Sequence, residues 1–205
     1  MPKLLHIQSS PNVMASKSRE LSDKFVAKWA ESHENTEVET LDLVLDPLPH
    51  FGPDALGNMF APPEVPRSPE MTAAGELSDR LITQLEGADV LVIGSALINF
   101  TITSQLKSWI DYVTVAGRTF EFSAPGVARG LLFGTKVFVI EARGGDYNDP
   151  PMSAFDFQEP LLRMQLLHLG LFDTTFIRAE GHAQDPAKEP QIMAYAESVI
   201  DRLAS

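Results

Sequence analysis

Four serines near the N-terminus have the residue type and the position needed to bind an anion. They are Ser9, Ser10, Ser16 and Ser18. They lie between an apolar first strand at Leu4–Ile7 and an amphipathic helix that contains Leu21–Trp29. Serine hydroxyls and the free amides of a helix N-terminus donate hydrogen bonds to a negatively charged group. Capping of the helix by Ser16 or Ser18 is an equally good interpretation of the spacing.

Two further segments follow apolar strands and are candidates to contact a ligand. Leu97–Phe100 follows the continuous apolar run Val90–Ile93, and Ala142–Gly145 follows the strand Lys136–Glu141. In open α/β sheets ligands bind at the carboxyl ends of the strands. The pair Gly144–Gly145 allows backbone amides to approach a ligand closely, although a plain turn is the alternative.

Strands and helices alternate along the chain, which predicts an α/β fold with a doubly wound parallel sheet. The predicted strands are Leu4–Ile7, Val38–Leu43, Val90–Ile93, Lys136–Glu141 and Thr174–Ala179. Helical spacing marks Leu21–Trp29, Pro69–Glu86, Leu106–Ala116, Pro160–Leu171 and Pro190–Leu203. We expect one domain over residues 1–205 and five strands in the flavodoxin-like order 2-1-3-4-5, which brings the three loops to one edge.

Two insertions interrupt this alternation. Asp46–Pro69 contains seven prolines and reads as a long non-repetitive segment, and Asp146–Gln158 is polar and aromatic. Long loops that carry apolar residues usually cover a site or pack against a partner chain.

Composition excludes several classes of function. A net charge of −12 over 205 residues argues against nucleic acid or an anionic membrane as the main partner. The chain has no cysteine, which removes disulfides, thiolate nucleophiles and cysteine metal sites. The spacing of the histidines predicts no metal site. The N-terminal apolar run is too short for a secretory signal, so we expect a cytoplasmic protein.

Three motifs in this order resemble the FMN-dependent NADH:quinone oxidoreductase and azoreductase family over essentially the whole chain. The first is Ser10 followed by Ser16-Lys17-Ser18, which is similar to the phosphate loop of that family. The second is Leu97-Ile98-Asn99-Phe100, in place of its usual Met-Tyr-Asn-Phe. The third is Ala142-Arg143-Gly144-Gly145, in place of Ser-Arg-Gly-Gly.

The resemblance implies bound FMN, with its phosphate at Ser10, Ser16, Lys17 and Ser18 and its ring between the other two motifs. It also implies a homodimer whose active sites form across the interface, NADH or NADPH as electron donor, and a quinone or azo compound as acceptor. The flavin performs the chemistry in such enzymes, so we expect no catalytic acid or base side chain.

This sequence differs from the family motifs at several positions. Because side chains line a substrate pocket, we expect these differences to affect substrate preference. Ile98 replaces a common tyrosine, Ala142 replaces a serine, and Leu167-His168-Leu169-Gly170 replaces Leu-Gly-Phe-x-Gly. We predict that Phe120 and His168 line the substrate pocket. An exposed position on its helix is the alternative for His168.

Other functions occur on the same sheet, because fold does not determine function. A phosphatase with a similar loop would need a loop cysteine, which is absent. A flavodoxin-type one-electron carrier is the main alternative, but its phosphate loop is shorter and it lacks the proline-rich segment. A phosphodiesterase acting on acyl carrier protein is a third possibility, for which no nucleophile–base pair is found in the sequence.

Overall fold

A five-stranded parallel sheet forms the centre of the computed structural model, which describes residues 1–62 and 64–205. Its strands are β1 Lys3–Gln8, β2 Glu37–Asp42, β3 Val90–Ala96, β6 Lys136–Arg143 and β7 Thr174–Glu180. They lie in the order β2-β1-β3-β6-β7. The predicted parallel sheet is confirmed, and its order is as predicted when these five strands alone are counted. The prediction of five strands in all is wrong, because two further strands, β4 (Phe120–Ala124) and β5 (Val127–Gly130), form a separate sheet.

Helices cover both faces of this sheet. They are α1 Lys17–Ser32, α2 Pro53–Phe60, α3 Pro69–Glu86, α4 Ser104–Val113, α5 Glu159–Leu169 and α6 Glu189–Leu203, with a 3-10 turn at Met152–Phe155. Apolar residues of α1 and α6 pack on one face, and those of α3, α4 and α5 pack on the other. Ala116, which was predicted to extend the apolar stripe of α4, lies beyond the end of that helix. Among the described helices none is long and apolar enough to span a bilayer.

The central strands are apolar because both of their faces are covered. Along β6, Val137 and Val139 face α3, α4 and α5, whereas Phe138 and Ile140 face α1 and α6. Side chains on a strand alternate between faces, so a buried parallel strand reads as a continuous apolar run.

The proline-rich insertion contains α2, so the prediction of a wholly non-repetitive segment is wrong. Pro53 occupies the first turn of α2, where its missing N–H has no intrahelical partner to lose. The helix packs against α3 through Gly57, which lies close to Met71. Phe60 at the end of α2 remains 71% exposed. Pro63, one of the prolines behind the loop prediction, lies outside the described residues.

Strands β4 (Phe120–Ala124) and β5 (Val127–Gly130) form an antiparallel hairpin that the sequence interpretation missed. The turn between them contains Pro125–Gly126, and Gly126 has a φ of 76°. Proline followed by glycine suits a turn whose third residue needs positive φ. β5 packs against α5, and Gly130 approaches the backbone of Gly170 so closely that no larger residue fits.

Candidate functional site

Three loops leave the carboxyl edge of the sheet side by side. The register aligns Gln8 at the end of β1 with Gly94 in β3. It also aligns Ala96 at the end of β3 with Ala142 in β6. Because all three strands are parallel and adjacent, the segments after them begin at one level. The predicted convergence of the loops is therefore realised in the structure.

The first loop combines serine hydroxyls with the start of α1. Ser16 caps α1, since its hydroxyl accepts a hydrogen bond from the amide of Arg19 at 3.4 Å. The Ser16 and Ser18 hydroxyls lie 3.0 Å apart. Ser10 and Ser18 are buried, and Ser9 donates to the carbonyl of Gly94. Capping by Ser16 thus occurs, and the remaining first-turn amides keep the capacity to bind an anion.

Arg19 fixes this loop, although the sequence interpretation did not single it out. Its Nε donates to the Ser10 carbonyl at 2.9 Å, and its other nitrogens form two hydrogen bonds with the Asp42 carboxylate. These bonds lower the pKa of the Asp42 carboxyl to about 2. Asp42 ends β2, so the pair ties the serine loop to the neighbouring strand.

Lys17 directs its charge away from the hydroxyl cluster. Its Nζ lies 2.7 Å from a carboxylate oxygen of Glu189 on α6 and 3.6 Å from one of Glu20. The hydrogen bond to Glu189 raises the pKa of the Lys17 ammonium. A cavity of about 660 Å³ adjoins this loop and is lined by Ser16 and Lys17 among others. Lys17 therefore offers its backbone amide, more than its side chain, to a ligand at the helix start.

The second loop is a tight turn with an unusual backbone. Ile98 and Thr101 exchange two backbone hydrogen bonds of 2.9 and 3.1 Å. The two residues between them are both left-handed, with φ of 47° at Asn99 and 73° at Phe100. A left-handed conformation is strained for a bulky aromatic residue and is found mostly at functional sites. Ile98 and Phe100 are 41% and 44% exposed.

The 146–158 insertion holds this turn in place. The Phe100 carbonyl accepts a hydrogen bond from the Phe157 amide at 3.0 Å, and the rings of Phe100 and Phe155 lie 5.7 Å apart. Leu97 donates to the carbonyl of Ala142 at 3.4 Å, which links the second loop to the third.

The third loop presents the glycine backbone, while Arg143 turns inward. The Gly144 carbonyl accepts from Ala183 at 3.1 Å, and the Gly145 carbonyl accepts from Gly181 at 3.0 Å. A Cβ at Gly144 would lie 3.2 Å from the Cβ of Ala183. A larger residue at Gly144 would therefore require Ala183 to shift by a few tenths of an ångström. The side chain of Arg143 is buried beneath the turn.

A cluster of buried charges surrounds the Arg143 guanidinium. Its hydrogen-bond acceptors are Glu141, Asp156, Gln158 and Glu180. Glu141 is fully buried, and burial raises the pKa of its carboxyl to about 8. The sequence interpretation missed this cluster. The sequence did contain one signal for it, because Glu141 continues the face of β6 on which Val137 and Val139 are buried.

The predicted pocket residues Phe120 and His168 are neighbours, with ring centroids 4.3 Å apart. His168 is half-buried in the last turn of α5, so its fully exposed alternative does not hold. Glu159, at the start of α5, contacts the charge cluster. The nine residues from there to His168 span roughly 13 Å at 1.5 Å per residue. His168 therefore lies at the end of α5 opposite to the end that contacts the charge cluster.

Comparison with known proteins identifies the relatives of this chain. A family model described as "Flavodoxin-like fold" matches residues 2–203. The FMN-dependent NADH:quinone oxidoreductase of Herminiimonas arsenicoxydans is 40% identical, over 99% of this chain and 98% of the relative. That of Azotobacter vinelandii is 42% identical, over 88% of each.

Solved structures agree with these relatives. An azoreductase from Bacillus anthracis superposes with a TM-score of 0.89 at 29% identity, covering 100% of this chain and 99% of the other. An FMN-dependent NADH-azoreductase from Bacillus anthracis, solved in complex with FMN, gives a TM-score of 0.87 at 27% identity, covering 99% and 100%.

Proposed function

The chain belongs to the family of FMN-dependent NADH:quinone oxidoreductases and azoreductases, and from this premise we propose that it holds FMN at the three loops and reduces quinones and azo compounds with NADH or NADPH. The observation that carries the proposal is the convergence of a hydroxyl-rich helix start and two tight turns on one sheet edge. Such an edge is where α/β sheets bind nucleotides.

The first loop is suited to the phosphate of FMN. We assign the phosphate to Ser10, Ser16 and Ser18 with the first amides of α1, including that of Lys17. Hydroxyls and helix-start amides stabilise a dianion without a dedicated ammonium group, which agrees with the ion pair that occupies the Lys17 side chain. The bonds from Arg19 hold the loop in the required shape.

The other two loops are suited to the ring. We assign one edge of the ring to Leu97, Ile98, Asn99 and Phe100, and the other to Ala142, Arg143, Gly144 and Gly145, with Arg143 acting from beneath. Bound FMN would supply hydride acceptance and donation. The protein would contribute orientation and fixed dipoles, and the amides of Gly144 and Gly145 would stabilise negative charge that develops at this edge of the ring.

We propose that two chains complete each other's substrate pocket. Phe120 and His168 lie at the end of α5 opposite to the charge cluster, so we infer that they contact a substrate bound to the partner chain. The insertions support this reading, because Phe60 of the first and Phe155 and Phe157 of the second are exposed apolar groups. Light scattering at micromolar concentration should give the mass of a dimer. A monomer that still binds flavin would contradict the shared pocket.

Flavin titration tests the phosphate assignment. A hydrogen bond to a charged group contributes about 1.5–3 kcal/mol, so Ser10→Ala combined with Ser18→Ala should weaken FMN binding by about tenfold or more for each serine. Ser198→Ala, which removes an exposed hydroxyl on α6, is the matched control and should leave the affinity unchanged. An unchanged affinity in the double variant would refute the assignment.

Steady-state kinetics separates the enzyme from a one-electron carrier. A single pocket that admits the nicotinamide, releases it and then admits the acceptor gives ping-pong kinetics, so double-reciprocal plots at several quinone concentrations should be parallel. Intersecting lines would show that both substrates bind together and would overturn the single-pocket proposal. The tight turn at Asn99–Phe100, anchored by the second insertion, favours a walled pocket over an open edge.

A further inference from the structure

Glu141 is a carboxyl group enclosed by the protein close to the proposed flavin site. It lies two residues before Arg143, which directly precedes the Gly144–Gly145 turn. On this face of β6 the alternation places Glu141 after Val137 and Val139, and none of its surface is exposed. A carboxyl group at such a position is rare, because burial of its charge is unfavourable.

The hydrogen bonds of Glu141 are incomplete. Oε2 accepts a bond of 2.6 Å from Nη2 of Arg143, whereas the buried Oε1 has no partner among the described residues. A buried polar atom without a partner costs about 1–3 kcal/mol when neutral and more when charged. The neutral acid is therefore favoured over the carboxylate at this position.

The charges that surround Glu141 nearly cancel one another, so burial decides its protonation. The cluster contains the guanidiniums of Arg143, Arg163 and Arg178 and the carboxylates of Glu141, Asp156, Glu159 and Glu180. Three positive and four negative groups leave a net charge of −1 when Glu141 is ionised and none when it is protonated. Burial, opposed by Arg143 and reinforced by Glu159, raises the pKa of Glu141 to about 8.

Each element packed around Glu141 contributes to this balance. Strand β7 supplies Arg178 and Glu180, helix α5 supplies Glu159 and Arg163, and the segment before α5 supplies Asp156. The register neighbour on β3 is Ser95, which carries no charge.

The same cluster supports both turns of the proposed ring site. Gln158 accepts from Nε of Arg143 at 3.0 Å and donates to the hydroxyl of Ser95 at 2.8 Å, which joins the ends of β6 and β3. Its neighbour Phe157 donates to the carbonyl of Phe100 in the second loop. Charge that appears above either turn therefore interacts with Glu141 through the protein interior, where screening is weak.

We propose that Glu141 couples protonation to the charge of the bound cofactor: at alkaline pH, where its carboxyl is ionised, it takes up one solvent proton when the cofactor gains negative charge and releases it when that charge leaves, whereas at neutral pH it stays protonated throughout. The inference rests on the proposed function. Oxidation of the nicotinamide delivers two electrons and one proton as hydride, which adds one negative charge to the site. A solvent proton on the Glu141 carboxylate then keeps the total charge constant, and reduction of the acceptor reverses both changes.

Potentiometry of the FMN-loaded protein tests this coupling without turnover. If one extra proton accompanies the two electrons, the reduction equilibrium constant changes by an additional factor of ten per pH unit. The midpoint potential then falls by about 30 mV more per pH unit. Wild type should show this steeper region above pH 8. Glu141→Gln, a neutral group of the same shape, should lose it while retaining FMN. The matched control Glu197→Gln, an exposed carboxyl on α6, should keep it.

A second measurement needs no cofactor and separates the two proposals. The infrared spectrum of the flavin-free protein at pH 7 should contain the carbonyl band of a protonated carboxylic acid, and Glu141→Gln should lack that band. Identical pH slopes in wild type and Glu141→Gln, or a wild type without the band, would overturn the role of Glu141. Failure of the wild type to bind FMN would instead refute the proposed function, and the infrared band would still report the protonation of Glu141.

Discussion

Acid sensitivity centred on His6 is the most quantitative prediction that the structure makes for stability. His6 is 1% exposed on β1, and its Nε2 has no hydrogen-bond partner among the described residues. Its Nδ1 lies 3.9 Å from a carboxylate oxygen of Asp23. Burial, opposed by Asp23, lowers the pKa of His6 from 6.5 to about 4.

The sign and size of the effect follow from linkage. The folded protein keeps His6 neutral below the pH at which the unfolded chain protonates it. The contribution of neutral His6 to the free energy of unfolding is therefore complete above pH 6.5 and is lost as the pH falls to about 4. A difference of about 2.5 units at 1.36 kcal/mol per unit corresponds to about 3 kcal/mol.

Urea denaturation between pH 4 and pH 8 measures this contribution in comparison with a His6→Val variant. The variant loses packing by an amount that does not depend on pH, so the difference between the two free energies of unfolding isolates the titration. That difference should change by about 3 kcal/mol, with wild type losing more stability in acid. Asp23→Asn should enlarge the change, since Asp23 favours the charged histidine. Parallel curves for wild type and His6→Val would refute the reasoning.

Two further substitutions test how the first loop is held. Gly94→Ala places a Cβ within 3.0 Å of two side-chain oxygens and 3.3 Å from the Ser18 carbonyl. We therefore expect the free energy of unfolding to fall by about 1–3 kcal/mol and FMN binding to weaken. Gly52→Ala, where the nearest atom is 3.6 Å away, is the control without a steric clash and should leave FMN binding unchanged. Lys17→Ala should change the FMN dissociation constant by less than about threefold, since the Lys17 ammonium is paired with Glu189 and such a pair contributes only about 0–1 kcal/mol. A larger loss of affinity would place the ammonium on the phosphate.

Those parts of the fold that depend on local patterns were predictable. The apolar runs of β3 and β6 indicated strands buried on both faces, and the alternation with helices fixed the doubly wound sheet. The hairpin was missed because the Pro125–Gly126 turn was treated as part of a connection rather than as a turn between strands. Helix α2 was missed because its prolines were given more weight than its apolar spacing, although Pro53 is compatible with a first turn.

The candidate site shows a similar division. The three loops were located from their motifs, but the directions of their side chains were not. The place of Arg143 beside the cofactor stays a prediction, but the burial of its guanidinium inside the protein was not foreseen. Its partners Asp156, Gln158 and Glu180 are 13 to 37 residues away in the chain, so no local pattern identifies them. Long-range polar pairing of this kind becomes visible only when the strands are assembled.

Anaerobic mixing of the FMN-loaded protein with NADH tests the central claim most directly. If the three loops hold FMN where a nicotinamide can reach it, the flavin absorbance should bleach in one step, and a quinone added afterwards should restore it. NADPH should be run beside NADH, because the donor preference is part of the same question. A fully loaded protein that neither NADH nor NADPH bleaches would contradict the account and would favour a one-electron carrier.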